Sequence, residues 1–271
     1  QAYRRSNNSK ESIINDQVGL EIIGSKKKLS DDKEIINTIL KSIDKIKIKN
    51  VSINIGDVSL FRQLIDSLNM PERWKLRLIR HFWRPKYFED LLNRLETNSD
   101  IDPITVDFDK KKFSEMKKLN QNQEIAGRKI SEILSRFDKK IRDPRSFAEG
   151  KKTAKIIREF LKISCPIDQM DKNLNKFFKK NNIKKNIIKN LLPMKNLSKS
   201  DYKIIFSTNF GRDIEYYTGM VFDIWASTNK NKQEIARGGR YDNLLKSLGS
   251  KKDVSAVGAA INLNNLSRLM Q

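Results

Sequence analysis

Cysteine and histidine are almost missing from this 271-residue chain, which has one of each, Cys165 and His81. A single cysteine closes no internal disulfide, so a disulfide-stapled secreted fold is excluded. A single histidine excludes a multi-histidine metal site and the classical zinc finger. Apolar runs are short, and none approaches the ~18 residues of a transmembrane helix. No signal-peptide pattern opens the chain, although it begins at Gln1 rather than Met and reads as lacking its natural N-terminus. Acidic residues are outnumbered, 33 against 55 Lys and Arg, for a net charge of +22. Such a balance points to nucleic acid, an anionic membrane or an acidic partner. A/T-rich codons account for it better, because Lys, Asn and Ile are abundant together and Lys is spread over nearly every predicted helix. Thirteen Phe and three Trp suffice for a core, so global disorder is excluded.

The pattern of apolar residues predicts an α+β protein: an antiparallel core formed by both ends of the chain, with a helical insertion between them. The core is expected over 1–60 and 200–271, and the insertion over 61–199. Gln17 to Gly24 reads as a strand, followed by a capping-box spacing at Asp31 and Glu34 before a helix carrying Ile35, Ile36, Ile39, Leu40 and Ile43. A second strand is expected over Val51 to Ile55. Leu60, Phe61, Leu64 and Ile65 form a helical stripe. Pro71 opens a helix with Trp74 and Leu78, and Arg84-Pro85 breaks it. Phe88, Leu91, Leu92 and Leu95 form the next stripe. Further stripes follow at Ile130 to Phe137 and Ile156 to Leu161, and Lys172 to Leu192 reads as a Lys/Asn-rich amphipathic segment. These stripes are packing faces rather than cofactor boxes. After residue 200, strands are expected over Lys203–Phe210, Glu215–Ala226, Glu234–Gly238 and Val257–Leu263, with a helix over Tyr241–Leu248 and another at the end. Cys165, before Pro166, reads as a buried thiol, and His81, among Phe82 and Trp83, as packing or surface.

Three segments could carry chemistry. The first is Gly211-Arg212-Asp213-Ile214-Glu215-Tyr216-Tyr217-Thr218-Gly219. Two adjacent Tyr on a strand would point to opposite faces, and Arg212 is a fixed cation able to hold a carboxylate or phosphate in bidentate fashion. The second is Arg237-Gly238-Gly239-Arg240-Tyr241-Asp242, read as a glycine turn before a helix, where backbone N–H groups can approach a ligand. The third is Gln17-Val18-Gly19-Leu20-Glu21, whose Gln17, Gly19 and Glu21 share one strand face and could together hold an α-ammonium group. Taken singly, each is more often structural than functional.

In this order the segments resemble the class II aminoacyl-tRNA synthetase core of histidyl-tRNA synthetase and its non-synthetase relatives. The Gln17–Glu21 strand resembles the second half of motif 2. Arg212 to Phe222 resembles the histidine-binding Arg-Gly-Leu-Asp-Tyr-Tyr-Thr-Gly signature, Arg237 to Asp242 the Gly-Gly-Gly-Arg-Tyr-Asp loop, and Ala256 to Leu266 motif 3. The departures point away from a synthetase. Asn265 stands where motif 3 has its ATP-gripping Arg, Arg237 replaces the first Gly of the loop, and Ile13, Ile14 and Asn15 stand where motif 2 has Arg-Glu-Phe. The chain also stops at Gln271, where a synthetase would continue into an anticodon-binding domain.

The pattern is similar to the regulatory-subunit family of ATP phosphoribosyltransferase, as are Gly56 to Phe61 and the Trp- and Arg-rich stretch Pro71 to Pro85. The resemblance implies a non-catalytic, cytoplasmic protein of histidine biosynthesis. It would sense L-histidine and support a short catalytic subunit in a hetero-oligomer built on a homodimer. No cofactor, metal, membrane or specific nucleic acid is implied. By matched position, Gln17 and Glu21 would bind the α-amino group of histidine and Arg212 its carboxylate, assisted by Arg4. Tyr216 and Tyr217 would line the imidazole side, and Gly238 and Gly239 the pocket floor. A histidyl-tRNA synthetase truncated at both ends and a synthetase-like RNA-binding module are the alternatives.

Overall fold

The computed structural model describes residues 2–3, 14–99, 103–120, 122–143, 145–183, 202–211, 215–228 and 232–270. Two compact units divide the chain, one of residues 1–64 with 160–271 and one of 65–159. The second is shorter than the insertion expected over 61–199, because 160–183 falls with the sheet.

The first unit holds a seven-stranded sheet. In chain order its strands are β3 (Gln17–Ile23), β4 (Val51–Asp57), β7 (Ser164–Pro166), β8 (Lys203–Ser207), β9 (Met220–Ser227), β10 (Lys232–Arg240) and β11 (Ala256–Asn262). Across the sheet they run β3-β11-β10-β9-β4-β8-β7. Every pairing is antiparallel except β4 with β8. A small hairpin, β1 (Ala2–Tyr3) with β2 (Ile14–Asn15), precedes β3. The α+β class expected from the alternating apolar pattern is therefore the one found.

One face of this sheet is packed by helices. Helix α1 (Lys28–Ile46) lies on β3, β10 and β11 with Ile35, Ile36, Ile39, Leu40 and Ile43 buried. The capping box at Asp31 and Glu34 is not what starts it. The helix begins at Lys28 without a side-chain cap, and Asp31 and Asp32 are buried inside its first turns. Helix α10 (Leu263–Met270) packs on the same three strands. Its first turn is capped by Asn262, whose Oδ1 accepts the Asn265 N–H at 3.0 Å. Helix α8 (Met170–Lys180) buries Met170, Leu174, Phe177 and Phe178. It accounts for the first half of the segment expected over 172–192, and residues 184–192 lie outside the described residues. Cys165 is buried, but in strand β7 rather than at a helix end.

The chain enters the second unit along α2 (Val58–Ser67). Helices α3 (Glu72–His81), α4 (Pro85–Thr97), α5 (Pro103–Lys117), α6 (Ile130–Ile141) and α7 (Phe147–Leu161) follow, with a hairpin of β5 (Glu124–Ile125) and β6 (Arg128–Lys129). Pro71 and Pro85 stand where α3 and α4 open, as a residue without an N–H should. The centre of this unit is Trp74, fully buried. Its indole N–H donates to Asp143 Oδ2 at 2.9 Å, and Arg73 Nη2 donates to the same oxygen at 2.9 Å. The Arg145 guanidinium lies over the indole, 4.4 Å from its centroid. Arg158 of α7 clamps α4, donating to Glu89, Asn93 and Glu96 at 2.6–2.9 Å. His81 packs edge-on against Tyr87.

Asp57 ends β4 and caps α2, its Oδ1 accepting the Ser59 N–H at 2.8 Å. Burial pushes its pKa up from 3.8 to about 6, against the lowering effect of the Ser59 hydrogen bonds. A carboxyl raised in the folded state costs nothing while both states are protonated. The penalty grows as pH rises from about 4, where the unfolded chain ionises, to about 6, and is constant above that. Roughly two pKa units set an upper limit of about 3 kcal/mol. Asp57→Asn keeps the capping oxygen and removes the charge. Urea titrations should show the variant equal to wild type near pH 3.5 and at least as stable by pH 7. Parallel stability curves across pH 4–7 would refute this.

Candidate functional site

The strand registers place five residues in one transverse row: Glu21 on β3, Gly258 on β11, Gly239 on β10, Val221 on β9 and Gly56 on β4. Paired residues in a row share a face, and neighbours along a strand face opposite ways. Arg240, next to Gly239, reaches Asp32 of α1, so the row lies on the side away from that helix.

Three glycines in the row exist for close approach. A Cβ at Gly56 would lie 2.7 Å from the Ser207 carbonyl oxygen and 3.2 Å from the Phe210 Cβ. At Gly239 it would lie 2.7 Å from the Tyr217 ring, and at Gly258 2.7 Å from the Glu21 Cγ. Phe210 therefore lies directly over Gly56, and Tyr217 over Gly239.

Tyr216 and Tyr217 are not in a strand. They occupy the turn before β9, which begins at Met220. Instead of facing opposite ways they pack together, with ring centroids 4.9 Å apart, and Tyr216 meets Tyr241 edge-on at 6.0 Å. Tyr-Tyr-Thr has high strand propensity, but the turn is held by bonds to β10: Thr218 N–H donates to the Arg240 carbonyl at 2.8 Å.

Gly238 and Gly239 lie inside β10 rather than in a turn before a helix, and they face opposite sides. Gly239 underlies Tyr217, whereas Gly238 packs against Phe222 and Ala259 on the helix-covered side. The helix expected over Tyr241–Leu248 is a single turn, α9 (Leu244–Ser247).

Glu21 stands at the end of the row beside Tyr241, whose side chain the sequence reading did not place in the site. The Tyr241 hydroxyl is buried, lies 3.1 Å from where a Gly258 Cβ would be, and faces the Glu21 carboxylate. Burial, reinforced by the Glu21 carboxylate, pushes its pKa well above the usual phenol range. Gln17 is on the same strand face as Glu21, but four residues of extended chain separate them by about 13 Å. Gln17 stands in register with Asn262.

Farther along the same face, Asn54 Nδ2 donates to Asp223 at 2.7 Å, and Arg237 forms a bidentate pair with Glu234 at 3.1 and 2.8 Å. Asn265, at the motif 3 arginine position, uses its amide on the Glu234 carbonyl at 2.8 Å. Arg4 and Arg212 lie outside the described residues. Among the described residues no group of three or more His, Cys, Asp or Glu could hold a metal ion, and no helix is long and apolar enough to cross a membrane.

The family model for histidyl-tRNA synthetase matches residues 2–136 and 85–266. The chain belongs to that family. Relatives of the chain carry the name ATP phosphoribosyltransferase regulatory subunit. The protein of Rhizobium rhizogenes is 24% identical over 266 residues, covering 92% of this chain and 71% of that protein. The protein of Brucella anthropi is 25% identical over 271 residues, covering 94% and 72%. Among solved structures, the ATP phosphoribosyltransferase regulatory subunit/histidyl-tRNA synthetase from Bacillus halodurans matches with a TM-score of 0.55 at 17% identity. This chain is covered to 95% there but spans about half of that chain, 54%. The ATP phosphoribosyl transferase (HisG:HisZ) complex from Thermotoga maritima matches with a TM-score of 0.50 at 18% identity, covering 96% of this chain and 70% of that one. These likenesses establish the fold expected from the motifs, a class II synthetase-like sheet with its helices.

Since the Tyr217 ring rests on bare backbone, Gly239→Ala should displace it. Overpacking of this kind costs about 1–3 kcal/mol. Urea denaturation should show that loss, and the near-ultraviolet circular dichroism of the tyrosines should change. An unaltered spectrum at unaltered stability would remove Tyr217 from its place over Gly239.

Proposed function

We propose that this chain is the sheet-bearing part of an ATP phosphoribosyltransferase regulatory subunit, a cytoplasmic, non-catalytic protein that binds L-histidine and supports a short catalytic subunit. The observation that carries the reading is the Glu21 carboxylate beside the buried Tyr241 hydroxyl, above the glycine floor at Gly258. A histidine side chain offers N–H donors and a flat ring. A carboxylate accepts from the first, and a cluster of Tyr216, Tyr217 and Tyr241 packs on the second. The names of the family relatives supply the biological context.

In this reading Glu21 faces a nitrogen of the ligand at the aromatic end. By resemblance, Arg212, with Arg4, holds the ligand carboxylate, and Gln17 approaches the ligand from the far end of β3. The partner is the short-form catalytic subunit, in a hetero-oligomer built on a homodimer. Aminoacylation is not expected, because adenylyl transfer depends on cations placed at the phosphates, and Asn265 spends its amide on a backbone carbonyl.

Calorimetry on the intact protein tests the site. Glu21→Gln and Arg212→Ala should each weaken histidine binding at least about tenfold, because removing one partner of a desolvated charge pair leaves the other unpaired. Because binding and regulation are linked, both variants should blunt the histidine response of the catalytic subunit. Unchanged affinity in both would sink the assignment, as would histidine-dependent pyrophosphate exchange by the wild-type protein.

A further inference from the structure

Arg240 joins the two faces of the sheet. Its side chain, on the helix-covered face, is 5% exposed and uses every edge of the guanidinium. Nε donates to Asp32 Oδ1 at 2.8 Å, Nη1 to Asp242 Oδ1 at 2.9 Å and Nη2 to the Lys28 carbonyl at 2.8 Å. Its backbone serves the other face, where the carbonyl accepts the Thr218 N–H at 2.8 Å. Asp242 closes the circuit. Its N–H donates to Thr218 Oγ1 at 3.0 Å, and its carboxylate accepts from Ala256 N–H at 2.9 Å and Lys28 Nζ at 2.6 Å. Thr218 directly follows Tyr217, and the next residue, Gly219, accepts the Val58 N–H at 3.0 Å. The aromatic turn thus rests on Arg240, Asp242 and the start of α2.

We propose that Asp32, on α1, is a positioning residue for the Tyr216–Tyr217 turn on the opposite face of the sheet, acting through Arg240, Asp242 and Thr218. A planar, fully engaged guanidinium has one orientation while all its acceptors are present. Without the Asp32 carboxylate, Arg240 re-forms around Asp242 and Lys28, and the two atoms that hold Thr218 move with it. The pathway reaches solvent at Lys28, whose side chain is 56% exposed while paired with Asp242. The consequence for histidine affinity rests on the proposed function; the effect on the tyrosine rings does not.

The test uses the intact protein with ring-labelled tyrosine and variants Asp32→Asn, Thr218→Val and the pair together. Tyr217→Phe assigns the Tyr217 ring signals. In the ligand-free protein, Asp32→Asn and Thr218→Val should each shift those signals. Lys28→Ala, an exposed change that leaves the buried charges in place, should shift them in the same sense by less. Histidine affinity should fall about fivefold in each single variant and no more than about tenfold in the double, because the two act on one route. Unmoved Tyr217 signals in folded Asp32→Asn overturn the proposal. Should that variant not fold, unmoved signals in Lys28→Ala overturn it. Losses of affinity that multiply in the double variant overturn it as well. A wild-type protein that ignores histidine would defeat the functional reading, while the ring signals would still decide the role of Asp32.

Discussion

The buried guanidinium of Arg240 is the constraint around which the sheet-bearing unit is organised. A cation taken from water is tolerated only where its donors are met, and truncating one partner of such a pair typically costs 3–5 kcal/mol. Here the partners come from two places, the first turns of α1 with Asp32 and the Lys28 carbonyl, and the loop after β10 with Asp242, which in turn accepts the first N–H of β11. Lysine could not replace it, since a point charge cannot hold three acceptors in one plane. The geometry of α1 against β10, the start of β11 and the aromatic turn are therefore solved together.

The other face depends on an absence of side chains. With Gly56, Gly239 and Gly258 in one row, Phe210 and Tyr217 lie on the sheet at van der Waals distance. Interior strand glycines weaken a sheet unless something approaches closely. Here Phe210, Tyr217 and Glu21 do so. The result is an aromatic floor with the Glu21 carboxylate at its edge.

The division of apolar residues made the strands and most helices legible. The strands expected over Gln17 to Gly24 and Val257 to Leu263 lie within one residue of the bounds observed, Gln17–Ile23 and Ala256–Asn262. The apolar stripe of α1 identified its buried face. What escaped were features decided at long range. Asp31 looked like a cap because its local spacing fits one, yet Asp32 beside it is buried for the sake of Arg240, 208 residues away. Gly238-Gly239 looked like a turn because glycine usually marks one, whereas their freedom from Cβ serves packing on two faces. Tyr216-Tyr217 looked like a strand because aromatic residues favour strands, but Thr218 is claimed by Arg240 and Asp242. Tyr241 was visible within the Arg240–Asp242 motif. Only the fold shows that its hydroxyl turns toward Glu21.

The same long-range pairing bears on the charge of +22. In the sheet-bearing unit the buried charged residues described are Asp31, Asp32, Asp57 and Asp223 against Arg240. Acids are thus withdrawn from the surface more than bases, and the solvent-facing part of this unit is more basic than its composition. The interior described, by contrast, is acidic, and burial raises the pKa of Asp57 there. Surface lysines act over about 8 Å at physiological salt before they are screened. A ligand lying against Glu21 and the tyrosines meets the local carboxylate rather than the distant excess of lysine. Selectivity for a cationic or N–H-donating ligand is therefore compatible with a strongly basic chain. Attraction between dispersed lysines and a polyanion is salt-sensitive and carries no sequence preference.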